Sequence, residues 1–156
     1  MVELSEQVAA FDREIERTIR ENGLDFEVLE GEERQEVVER LYGTFLSEKG
    51  RQARPGFVWG FLKYECDSID CGGRDPYWSL PDVFDGDRVM YFCVPDFQDN
   101  DFLVFRARMA EIHTFVGDCE GVVDDYCLMT EDGMELYCIT HHDDLLHVDV
   151  RTSRLR

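Results

Sequence analysis

The hydrophobic period of this chain changes near its middle, and that change constrains the fold more than any other feature. In the first 50 residues apolar side chains recur every three or four positions: Leu4, Val8, Phe11, Ile15 and Ile19 in one run, Val37, Val38, Leu41, Tyr42, Phe45 and Leu46 in a second. That spacing marks one face of an amphipathic helix. After Arg88 the apolar residues crowd into short β-forming runs, "RVMYFCV", "DFLVFRA", "VVDDYCLM", "MELYCIT" and "LLHVDV". The clusters "PDFQDN", "TEDG" and "HHDD" between them have the composition of turns. Helical spacing returns once, at Met109, Ile112, Phe115 and Val116. Strands joined by short turns pair antiparallel, so the pattern predicts an α+β fold: N-terminal helices packed on a mainly antiparallel sheet of about five strands, with one inserted helix.

A chain of 156 residues is long enough for one sizeable core. We expect a single domain over 1–156, with a helical part at 1–50, a sheet part at 57–150, and the loop "KGRQARPG" as the hinge. "LDFEVLE" reads as a short extended connector, and Gly23 before it as a helix stop. "FVWGFLKY" reads as a buried strand or a segment under the helices, and residues 66–87 as a long polar loop with one helical turn near Trp78 to Phe84.

Charge limits the partners. The formal net charge is −19, and residues 65–149 hold 21 acids against four arginines, a surplus of 17. Lysine occurs only at positions 49 and 63, so there is no basic stripe for phosphates and direct nucleic-acid binding is disfavoured. Two readings of the acidity compete. A clustered negative surface would steer a basic protein partner. Alternatively, the acids serve only as adaptation to a salty or crowded solvent. Turns hold carboxylates where a partner can meet them, so the candidate contact residues are Asp96, Asp99, Asp101, Asp124, Asp125, Glu131, Asp132, Asp143 and Asp144.

The N-terminus is acidic and helical in pattern, unlike a signal peptide, and no apolar run approaches the roughly 20 residues of a membrane span. A cytoplasmic protein with no membrane partner is expected. The six cysteines then read as reduced thiols, and those in "MYFCV" and "LYCIT" as small core hydrophobes.

Catalytic templates are missing: the chain has no phosphate-binding or dinucleotide-binding glycine loop and no nucleophile elbow. Asp124 and Asp125 are adjacent, on opposite faces of a strand, which is wrong for a shared acid–base site. One stretch, "CITHHDDLLH", resists a bland reading. Cys138, His141, His142 and His147 carry ligand types suited to zinc or iron, with a further ligand available from His113, Asp118 or Cys119. The opposing expectation is that His141 and His142 lie at a strand–turn junction with diverging side chains.

The C-terminal part resembles a group of small bacterial proteins. The resemblance rests on Asp118, Cys119 and Gly121 in "GDCEG", on Tyr126, and on Leu136, His141, His142 and Asp143 in a W-L-x-x-x-x-H-H-D-like segment. Trp59 fits an upstream tryptophan motif, and the likeness covers about residues 57–146. It departs at Glu135, where the group has tryptophan, and at His147 and Asp149, where it has glycines. That group is similar to the immunity proteins of bacterial toxin systems, which implies a binding role and no catalytic residue. The combined expectation is an acidic, cofactor-free, immunity-like or inhibitor-like protein masking a basic surface on a partner such as a nuclease toxin. A small metal-binding protein or metal-dependent enzyme is the alternative.

Overall fold

Seven strands form one antiparallel sheet in the order β1-β4-β3-β5-β6-β7-β2. The structure is a computed structural model and describes residues 13–52, 55–96, 100–118 and 125–156. Helix α1 covers 13–21 of these; Leu4, Val8 and Phe11 fall outside the described residues. Then follow β1 (Glu27–Leu29), α2 (Gly31–Phe45), the short α3 (Glu48–Gln52), a 3-10 helix (Pro55–Phe61) and β2 (Asp67–Ile69). A second 3-10 turn (Pro76–Ser79) runs into α4 (Leu80–Val83), followed by β3 (Val89–Asp96), β4 (Asp101–Arg108) and α5 (Met109–Asp118). Strands β5 (Tyr126–Thr130), β6 (Glu135–Ile139) and β7 (Leu145–Asp149) complete the sheet.

Successive strand residues point to opposite faces, and here both faces are covered. Met90, Phe92, Phe105, Leu128, Tyr137 and Ile139 face Ile15 of α1 and Ile112 and Phe115 of α5. Cys93, Val104, Cys127, Met129, Leu136 and Cys138 face Val37, Val38, Leu41 and Phe45 of α2, with Val58 and Leu62 beside them. Antiparallel sheets often leave one face to water. Covering both explains why all five residues of β5 are buried and its sequence shows no polar alternation. The densest contact is aromatic: Phe92 lies within 5.4 to 6.2 Å, ring to ring, of Phe26, Phe105, Phe115 and Tyr126.

The α+β class and the antiparallel sheet agree with the sequence, but the strand count is seven, not about five. The additional strands are the two edges. β1 lies in the segment read as a connector and β2 in the segment read as a polar loop. Each is three residues long with two of them exposed, too short to show a period. β1 pairs with β4 and β2 with β7, so the extended connector within the helical part contributes an edge strand. Of the two readings of "FVWGFLKY", the segment under the helices holds: the run begins in the 3-10 helix that ends at Phe61, and Val58 and Leu62 pack with α2. Gly23 does stop α1: at φ 60° it occupies the left-handed region, and the Leu24 N–H donates back to the Ile19 carbonyl at 3.0 Å.

Candidate functional site

In a sheet of consecutive antiparallel strands, successive turns fall at alternate ends. The β3–β4 turn, the start of β5 and the β6–β7 turn therefore share one end, which brings together Asp96, Asp101, Asp125, Asp143 and Asp144. Glu131 and Asp132, in the β5–β6 turn, lie at the opposite end of the sheet. The described members of the nine-residue contact set thus divide between the two ends of the sheet. Asp99 and Asp124 lie outside the described residues.

The two ends differ in their cations more than in their acids. At the Glu131 end, Arg106 bridges Glu131 at 2.7 Å and Glu27 at 3.4 Å. Glu135 takes Arg88 at 3.2 Å, Arg151 at 3.5 Å and His147 at 3.1 Å. Arg108 sits near Asp87 and Glu111, and Arg151 also holds Asp149. The Thr130 hydroxyl and the Met134 N–H both donate to Asp132 and hold its carboxyl below the usual range. At the Asp143 end, the described arginine pair is Arg34 with Asp101 at 2.8 Å, a residue no sequence pattern pointed to. Asp143 and Asp144 are exposed, and among the described residues no cation bridges either.

The Asp143 turn is built on Thr140. Its hydroxyl accepts from the backbone N–H of His142 at 3.2 Å and of Asp144 at 3.3 Å. The Asp143 N–H donates to the Thr140 carbonyl, and the Thr140 N–H to the Asp144 carbonyl. Asp143 takes a φ of 61°. That is a three-residue hairpin loop whose left-handed position is filled here by aspartate instead of the favoured glycine.

His141 and His142 do not diverge. Their ring centroids are 3.9 Å apart, and both present to Trp59, at 6.0 and 5.8 Å. The alternation that would separate them holds in strands, and β6 ends at Ile139. Trp59, on the 3-10 helix, is the common wall, and its indole N–H is buried without a hydrogen-bond partner among the described residues. Asp125 anchors the other side: one carboxylate oxygen accepts from the His141 backbone N–H at 2.8 Å, and both oxygens lie 3.0 to 3.1 Å from Nδ1. A carboxylate can only accept, so this geometry assigns the proton to Nδ1.

The four-residue metal set does not converge. Cys138 pairs with Leu146 on the α2 face, while His147 stacks on Tyr137 at 4.4 Å on the other face and bonds Glu135. His113 stacks on Tyr77 at 4.2 Å, and Cys119 is outside the described residues. Among the described residues no group of three or more His, Cys, Asp or Glu side chains could hold a metal ion. The thiols of Cys93, Cys127 and Cys138 are buried. Burial pushes Cys93 up to about 12, and the hydrogen bond to Cys138, then burial, raises Cys127 well above its ordinary value. Neutral thiols make poor nucleophiles.

Among the described residues no helix is long and apolar enough to cross a membrane. The chain matches no protein-family model, no curated protein and no solved structure.

Proposed function

We propose that this chain is a non-catalytic binding protein, immunity-like or inhibitor-like, whose sheet end carrying Asp96, Asp101, Asp125, Asp143 and Asp144 meets a basic surface of a protein partner. The observation that carries this reading is the segregation of cations: four arginines neutralise acids at one end of the sheet, and Arg34 is the arginine partner described at the other. Asp143 and Asp144 are exposed with no cation bridging either among the described residues, and the fields of such adjacent carboxylates add within the roughly 8 Å Debye length of physiological salt. The placement of Asp143 in a conformation that glycine fills more easily is in keeping with a carboxylate retained for contact.

The competing reading, acidity as adaptation to solvent, draws support from the exposed Glu32, Glu33, Glu36 and Glu39 on α2, far in sequence from these turns. Capture of a partner from extracts of the source cell, followed by kinetics with the purified partner, separates the two. Binding should weaken in Asp143→Asn/Asp144→Asn and persist in Glu131→Gln/Asp132→Asn. Its on-rate should fall as salt rises from about 50 to 200 mM, as expected for steering charges. A partner indifferent to both pairs, or no basic partner at all, would leave solvation as the explanation.

A further inference from the structure

Trp78 is 65% exposed, the one aromatic among the large hydrophobic side chains that the described residues leave open to water. It is not loose. Its ring meets Tyr77 edge-on at 5.1 Å, and Tyr77 lies flat on His113 of α5 at 4.2 Å with 6° between the planes. His113 Nε2 is 3.1 Å from the Tyr77 carbonyl. The 3-10 turn is fixed by Asp75, whose side chain accepts from the Tyr77 N–H and whose carbonyl accepts from the Trp78 N–H. A rigid, exposed aromatic loses little conformational freedom when something covers it.

His113, on which Tyr77 stacks, is also one wall of a groove between α4 and α5, about 210 Å³ in volume, whose other lining includes Leu80, Pro81, Phe84, Met109 and Ala110. Small-molecule sites usually occupy about 300–1,000 Å³, so this space suits an aliphatic side chain better than a metabolite. The segment from Asp75 to Asp87 carries four exposed aspartates, Asp75, Asp82, Asp85 and Asp87; Arg74 and Arg88 flank it and Arg108 reaches Asp87 at 3.9 Å, which leaves Asp82 and Asp85, beside the groove, with no described cation bridging them.

We propose that Trp78 and this groove form a second docking surface, one that takes a segment of a partner protein presenting an aliphatic side chain flanked by lysine or arginine. The aliphatic group fills the groove, a cation lies over the indole face, and the aspartates neutralise its neighbours. Charge disfavours the other occupants. A second copy of this chain, at −19, would bring carboxylate against carboxylate, and an anionic lipid surface would be repelled in the same way. This surface does not depend on the acidic sheet end, and either can fail without the other.

The test uses the full chain and fluorescence anisotropy of three labelled peptides: lysine–leucine, lysine–serine and glutamate–leucine, matched in length. The lysine–leucine peptide should bind best, and its dissociation constant should rise at least about tenfold in Trp78→Ala, as for an interface tryptophan. Ala110→Gln, which fills the groove from an exposed position, should weaken it as well. Asp143→Asn/Asp144→Asn should leave this affinity unchanged. Equal binding of the lysine–serine peptide would reduce the effect to charge, and equal binding of the glutamate–leucine peptide would reduce it to greasiness; either overturns the proposal. So would indifference to Trp78→Ala, or self-association of the free protein that Trp78→Ala abolishes.

Discussion

Cys127 and Cys138 oppose each other across β5 and β6 with their sulfurs 3.6 Å apart, and Cys93 is the register partner of Cys127 on β3. Three thiols thus lie side by side beneath α2, and the protein's interior holds those of Cys93 and Cys127 in the neutral form.

The titration of Cys93 and Cys127 predicts a loss of stability in base. A thiol ionises near 9 when exposed, and Cys93 is pushed up to about 12 by burial. Its contribution is complete below pH 9 and is lost as pH rises toward 12, at about 1.4 kcal/mol per pH unit while only the unfolded thiol ionises. Cys127 adds in the same direction, and buried Tyr126 joins above its ordinary value of 10.0. Urea melts at pH 8, 9 and 10 should show a steepening fall. Cys93→Ala should be less stable at pH 8 and lose less between pH 9 and 10.

Asp143→Gly should stabilise the fold by about 0.5–1 kcal/mol, because glycine occupies φ 61° without the steric cost of a Cβ. Urea denaturation reads this directly. A variant no more stable than the parent would mean that the aspartate is comfortable in this turn.

Gly133→Ala should act in the opposite direction. Gly133 has a φ of 71°, and an added Cβ would run into the Arg40 side chain, which donates to the Glu131 carbonyl. The expected cost is about 1–2 kcal/mol in a denaturation experiment.

Asp125→Ala should free His141 and loosen the turn, costing about 1–3 kcal/mol for the lost acceptor. In nitrogen-detected NMR the parent His141 should show its proton on Nδ1. Trp59→Phe, by contrast, removes an indole N–H that has no partner among the described residues and should be better tolerated than Trp59→Ala.

Phe92→Ala should cost about 3–5 kcal/mol, since Phe92 is fully buried at the centre of the aromatic cluster. Calorimetry or urea melts check it.

Much of the architecture was legible in the amino-acid order because period reports face. Val37, Leu41 and Phe45 mark the buried side of α2, and "TEDG" and "HHDD" are both turns. The edge strands were not legible, since three residues such as Asp67, Ser68 and Ile69 carry no pattern apart from their partners. Nor was the meeting of His141 with His142, because Trp59 joins them from far along the chain. The separation of Glu131 and Asp132 from Asp143 and Asp144 was within reach: consecutive hairpins must turn at opposite ends, so acids in successive turns lie at opposite ends of the sheet.

The order of the sheet has a consequence for how the chain is made. β3 through β7 occupy adjacent places in the sheet and come from one stretch, residues 89 to 149. The edges are recruited from much earlier, Val28 against Phe105 and Ser68 against Leu146. During synthesis from the N-terminus, α1, β1, α2 and β2 emerge before the surfaces that bury them exist. The apolar faces of the first helices must therefore wait, and β2 finds its place only when β7 has left the ribosome.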